Sequence, residues 1–323
     1  MRLLELAEAS AEDAFGAAAW LARAGAPDAL VLAQLTGESG ALGAFQRAGR
    51  SGLARELRGV CGGRSAFAGE GTCALFAVAR DVHAWLGEPR PLPAARVLNR
   101  WVRGLLAGLN RLGVAASYPG RDFVAANGAR VAQVSLGRAE GGAWILQAIL
   151  ATARPFTTAE PAPAFPGLPP LPPAATLGPA ARATEPLFAA LAGGFAERFA
   201  LGIERAPLTG DERRAVAATR LPPLVDPELA GLRCGGPVAI PNGELEAHVS
   251  LRADGALEGV RLRGDWIAAA ADVRALEAAL AGARPASAEI RAYAARWLAD
   301  PAVLALGVVG AEPIAEAIAL SAR

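Results

Sequence analysis

The chain has 323 residues, enough for two domains of ordinary size, with 53% hydrophobic residues and a net charge of +1. All 32 basic residues are arginine, which excludes mechanisms that need a lysine amine: the P-loop, Schiff-base catalysis and lysine-dependent adenylation in its usual form. The arginines form no dense cluster and no apolar run reaches about 18 residues, so neither nucleic acid nor a membrane is expected as a partner.

The opening MRLLELAEASAED turns acidic where an export signal would be apolar, so a cytoplasmic protein is expected. Leu3 to Leu6 reads as a strand. Ser10 and Asp13 then read as N-cap and N3 of a helix that turns Phe15, Ala18 and Ala22 inward. Ala29 to Leu35 is an apolar run of strand length. The glycine-dense stretch Arg58 to Gly71 is expected as a loop or tight hairpin, followed by a buried strand at Cys73 to Val78. Val97, Trp101, Leu105, Leu109 and Leu112 recur at helical spacing, which predicts a helix over Ala94 to Leu112 with Gly113 at C′. Asn127–Gly128 between Phe123 to Ala126 and Ala129 to Leu136 is a hairpin signal, and Trp144 to Leu150 reads as a further buried strand.

Ten prolines between 155 and 186 predict an extended connector, since proline interrupts both helix and central strand. A helix is expected at Glu185 to Phe199. The proline- and charge-rich stretch 204–236 leads to a domain boundary near Gly235–Gly236, dividing the chain into 1–236 and 237–323. Beyond it, Leu245, Ala247, Val249 and Leu251 alternate with Glu244, Glu246, His248 and Ser250, a half-buried strand with His248 on its solvated face. After a turn at Asp254–Gly255, Leu257, Val260 and Leu262 slip in parity, which suggests a bulge at Gly259. Asp272 is expected to cap a helix carrying Val273, Leu276 and Leu280 and ending at Gly282. Two more helices complete a small α+β module.

Cys61, Cys73 and Cys234 are odd in number and lack CxxC spacing, so neither a disulfide framework nor a zinc site is expected. Cys61 reads as a small buried thiol, and His83, like His248, as a surface side chain.

Three words of sequence resemble the lipoate–protein ligase A family of the biotin/lipoate ligase superfamily. The first is Arg58-Gly-Val-Cys-Gly62-Gly63, although Phe67 and Ala68 stand where the family has His-Asp. The second is Gly120-Arg-Asp122-Phe-Val with Ala129-Arg130-Val131, similar to the family's Asn-Asp-Leu…Arg-Lys-Val-Ser-Gly. The third is Asn242-Gly-Glu-Leu-Glu-Ala-His-Val through Gly264-Asp-Trp266, like the accessory C-terminal domain. Gly43 and Gln46 match a Gly-Arg-x-Gln word whose arginine is Ala44 here, and Leu146 to Leu150 replaces the family's His-Gly-Thr-Leu-Leu.

The resemblance implies an α/β (α+β) fold: a biotin/lipoate ligase-like mixed sheet with helices, followed by a small α+β C-terminal domain. It also implies attachment of lipoate or octanoate to a lysine of a lipoyl carrier domain through an acyl-adenylate, with ATP and Mg as cofactors. Arg130 would take the catalytic lysine's place, and Arg58, Gly62, Gly63, Asp122 and Gln46 would bind ligand. Guanidinium is broader than ammonium and planar, so the exchange at 130 is not conservative. The alternative is a non-catalytic protein that binds an acyl group, a carrier domain or a partner subunit. Phe67 and Trp144 filling the pocket would favour that alternative.

Overall fold

The computed structural model describes residues 1–23, 25–157 and 165–323. The N-terminal elements are β1 (Arg2–Ser10), α1 (Ala11–Arg23), β2 (Ala29–Thr36), β3 (Glu38–Leu42), β4 (Glu56–Arg58), β5 (Ala66–Gly69) and β6 (Thr72–Ala79). The short α2 (Val82–Leu86) and long α3 (Ala94–Arg111) precede β7 (Ala116–Ser117), β8 (Phe123–Ala126), β9 (Ala129–Arg138) and β10 (Trp144–Ala151). Next come α4 (Thr184–Phe199), β11 (Glu204–Arg205), α5 (Gly210–Ala218) and β12 (Arg233–Cys234). The chain closes with β13 (Val238–Ile240), β14 (Gly243–Leu251), β15 (Leu257–Gly264), β16 (Ile267–Ala268), α6 (Ala270–Leu280), α7 (Ala288–Ala299), β17 (Ala305–Leu306) and α8 (Glu312–Ser321).

Local chemistry fixes the expected elements. Ser10 Oγ accepts from Asp13 N at 3.1 Å and starts α1, as its spacing predicts. Asn127 and Gly128 both take positive φ, 50° and 75°, which gives the β8–β9 hairpin its tight turn. Val97, Trp101, Leu105 and Leu109 are fully buried along α3. The glycines opposite them let α4 approach closely: a Cβ at Gly194 would lie 2.1 Å from the Gly108 nitrogen.

Eight strands form a mixed sheet in the order β11-β1-β2-β6-β10-β9-β8-β7, parallel at β11–β1–β2 and antiparallel elsewhere. Every residue of β6 is buried because α1 covers one face and the α3–α4 pair the other. A small sheet β4-β3-β5 carries the glycine-rich segment to one end of this scaffold. The C-terminal sheet sets β14 between β15 on one side and β12 and β13 on the other. Helices α6 and α8 pack against that sheet, with α7 between them, around Trp266, Leu245 and Ile314.

The expectations for residues 58–71, Asp272 and His248 are corrected, and α5 is a helix for which the sequence set no expectation. Residues 58–71 are not all loop, since β5 pairs with β3 there. The stretch 204–236 contains α5, whose only buried side chain is Val216. A capping box between Thr209 and Glu212, together with the Arg2–Glu212 ion pair, holds it in place of an apolar stripe. Asp272 does not cap α6, which starts from Ala269; its carboxylate instead accepts two bonds from Arg138, at 2.7 and 2.8 Å. His248 is not solvated but only 5% exposed, because residues 226–234 and Arg47 cover the polar face of β14. His83 is half-buried on α2, against Trp144. Of the proline-rich connector, 158–164 lie outside the described residues; further on, Ala174 bridges to Arg130.

Candidate functional site

The glycine-rich loop between β4 and β5 is pinned from two sides. Ser135 Oγ of β9 donates to Gly62 O, and Gly63 N donates to Trp266 O at 2.7 Å. A Cβ on Gly62 would lie 2.4 Å from Trp266 O and 2.9 Å from Ile267 Cα, so the C-terminal backbone rests directly on this glycine. The short strand at 267–268 stitches two cores together by alternation: Ile267 and Ala269 enter the core under α3, while Trp266 and Ala268 return to the core of the C-terminal sheet.

Arg58 lies on the other side of this loop and is only 3% exposed. Its guanidinium donates to Asp226 Oδ1 and Oδ2 at 2.7 and 2.9 Å, and to the carbonyls of Pro223, Leu224 and Gln46. The chain itself thereby uses up the cation expected to meet a ligand. Gln46 is equally occupied: Oε1 accepts from Gly43 N at 2.9 Å and Nε2 donates to Asp265 at 2.6 Å.

Burial pushes the Asp265 carboxyl up to about 6, against the opposing pull of Arg50, the Glu244 amide and Gln46. Its folded pKa therefore exceeds the unfolded one, so the folded state binds the extra proton between the two values and stability falls as pH rises through about 6. The melting temperature should accordingly be higher at pH 5 than at pH 7. Asp265→Asn should remove most of that difference, as a thermal scan at the two pH values would show.

Asp122 and Arg130 sit beyond Gly63. Asp122 is wholly buried and accepts from Arg64 Nε and Nη2 at 2.6 and 2.7 Å. Arg130 bonds to the connector, from Nε to Pro172 O at 2.7 Å and from its backbone N to Pro173 O at 2.8 Å. Its guanidinium lies 5.8 Å from the centre of the Phe156 ring. Burial, then the charge of Arg64, draws its pKa down to about 10, while Asp122 pulls the other way. Arg121 is lowered by the same burial and donates to Pro241 O at 2.5 Å. Three guanidinium groups thus share one carboxylate.

The sequence-based candidates therefore fall into two groups. Asp122, Arg130, Gly62 and Gly63 are gathered around Arg64, while Arg58 and Gln46 face residues 223–226 and Asp265. Phe67 is buried, its ring covered by Arg154 at 3.9 Å, but Trp144 stands apart against His83 and Arg138. Cys61 is fully buried and burial raises its thiol pKa, in keeping with an inert side chain. Sequence reasoning missed Arg64, Arg121 and the Trp266–Ala268 seat. Both arginines are sequence neighbours of candidates, Gly63 and Asp122; nothing local marks the seat.

Between α3, the β7–β8 hairpin, the connector and the segments 241–242 and 305–309 lies a cavity of about 1020 Å³. Leu98, Phe123, Leu306 and Ile267 provide apolar wall, and Arg121 and Asn242 add polar groups. Pro172, which accepts from Arg130, also lines it.

No protein family and no curated protein matches this chain. Solved structures do. A crystal structure of P. falciparum LipL1 in complex with lipoate superposes with a TM-score of 0.54 at 10% identity, covering 82% of this chain and 85% of that one. A lipoate-protein ligase A bound with ATP gives 0.51 at 14% identity, covering 67% and 92%. A bipartite lipoate protein ligase from Thermoplasma acidophilum, described with its E2 lipoyl domain, gives 0.51 at 14%, covering 67% and 90%. The fold of this chain is that of the lipoate ligases.

Proposed function

Starting from that fold, we propose that this chain binds an acyl acid or its carrier domain without activating it. One observation carries the reading: the backbone from Trp266 to Ala268 lies on Gly62, a residue that the resemblance implies would bind ligand. Arg58 and Asp122, the charged groups expected to meet ligand, are consumed by Asp226 and Arg64. The neighbouring cavity has apolar walls and three arginines, Arg96, Arg100 and Arg121, which suits an amphipathic acid such as lipoate or octanoate. Neighbours of the same fold are described with lipoate, with ATP and with a lipoyl domain, which makes these the ligands to try first.

The second reading is a divergent ligase that uses ATP and Mg. Its support is the Arg64–Arg121–Arg130 set, whose surplus positive charge could neutralise an α-phosphate in place of lysine. No helix among the described residues is long and apolar enough to cross a membrane.

One experiment separates them. The full chain is incubated with ATP, Mg, octanoate or lipoate, and a lipoyl carrier domain, and carrier mass and AMP release are followed. The expected result is an unmodified carrier and no AMP, while calorimetry registers binding of the acid or of the carrier domain. Acylated carrier, or acyl-adenylate in the mixture, would overturn the non-catalytic reading. Absence of any binding would overturn the binding reading too.

A further inference from the structure

Away from the glycine-rich loop, the polar face of β14 collects three metal-ligand side chains of different kinds. Among the described residues, Cys234, Glu246 and His248 bring one ligand atom each to within 4.8 Å of one another. Pairing of β12 with β14 places Cys234 directly opposite His248, and strand periodicity puts Glu246 on the same face. His248 Nε2 lies 3.2 Å from Glu246 Oε1, and Cys234 Sγ lies 3.9 Å from Glu246 Oε2.

We propose that Cys234, Glu246 and His248 form a binding site for a thiophilic divalent cation of the zinc type. Bond lengths of about 2.0–2.3 Å in tetrahedral zinc sites put neighbouring ligand atoms about 3.3–3.8 Å apart. His248 Nε2 and Glu246 Oε1 already lie 3.2 Å apart, and one ligand atom from each residue lies within 4.8 Å of the others, so the site closes with side-chain shifts of about an ångström. One thiolate, one imidazole and one carboxylate leave a fourth position for water on the side of the exposed Cys234. The thiolate and imidazole favour zinc or cobalt over magnesium or calcium.

Buried ligands hold two of the three corners: Glu246 is 8% and His248 5% exposed. The charge now facing Glu246 is Arg47, whose Nε lies 2.7 Å from Oε1 on a side chain that is 55% exposed. A cation would displace that guanidinium, which is free to swing into water. Occupation would fasten β12, and with it the preceding segment that holds Asp226 on Arg58, to the C-terminal sheet.

The test is a cobalt titration of the reduced full-length protein in the presence of magnesium. The expected result is one equivalent of cobalt bound, with a thiolate-to-cobalt charge-transfer band that zinc abolishes by displacement. Cys234→Ser should eliminate the band; its side chain is exposed, so the fold should not suffer. His248→Gln should weaken binding by more than the roughly tenfold typical of losing an outer-shell partner. Arg47→Ala should tighten it, whereas a purely structural Glu246–Arg47 pair would only be broken. Zinc should raise the melting temperature of the parent protein but not of Cys234→Ser. A missing band under excess cobalt, or a band that survives Cys234→Ser, would overturn the proposal.

Discussion

Asp122→Ala should destabilise the protein by about 3–5 kcal/mol, the range seen when one partner of a buried ion pair is removed. The effect is large because Asp122 is wholly buried and holds Arg64 with two short bonds. Without it, the Arg64 guanidinium stays desolvated, facing Arg121 and Arg130 with no counter-charge. Asp122→Asn should cost nearly as much, since the amide keeps the volume but not the charge. Adding Arg64→Met to Asp122→Ala should restore a good part of the loss, because it removes the orphaned cation. Urea denaturation of the parent, Asp122→Ala, Arg64→Met and the double variant measures this coupling. A loss below about 1 kcal/mol, as for an exposed pair, would mean that Asp122 is not the electrostatic keystone described above.

The second large effect is expected at Gly62. In Gly62→Val the new Cβ would meet the backbone atoms Trp266 O, Ala268 N and Ile267 Cα at 2.4, 2.8 and 2.9 Å. No rotamer change relieves such a clash, so the C-terminal segment must lift. Lifting breaks the Gly63 N–Trp266 O bond and withdraws Ile267 and Ala269 from the core under α3. We expect a cost of at least about 3 kcal/mol, the upper range for overpacking. Residues 237–323 should also become more sensitive to protease, and the radius of gyration in solution scattering should rise. Gly202→Ala is the control, since nothing lies within 4 Å of its added Cβ. If Gly62→Val matches that control in stability and protease resistance, the Trp266–Ala268 backbone does not rest on Gly62.

What was legible in the sequence was what local chemistry decides. Ser10 and Asp13 announced a helix start, Asn127–Gly128 a tight hairpin, and the Val97–Trp101–Leu105–Leu109 stripe a helix with one buried side. Each depends on residues at most a few positions apart. What escaped depended on partners far along the chain. His248 looked solvated by alternation, yet residues 226–234 cover it. The α5 helix had almost no apolar stripe to betray it, since Arg2, more than two hundred positions away, grips its first turn. The candidate site shows the same division. Arg58 and Asp122 were found by their words of sequence, but that both are neutralised by Asp226 and Arg64 follows only from the tertiary arrangement.

The seat of Trp266–Ala268 on Gly62 also sets a timetable for biosynthesis. The glycine-rich loop leaves the ribosome about 200 residues before the backbone that covers it. At about 5–20 residues per second, that is an interval of roughly 10–40 s. Throughout it the apolar floor that later receives Ile267, Ala269 and Leu304 stays bare. β1 waits almost as long for its edge partner β11. A nascent chain with an uncovered floor and an unpaired edge is a natural client for co-translational chaperones, and a truncated message would yield a sticky fragment instead of a smaller working unit.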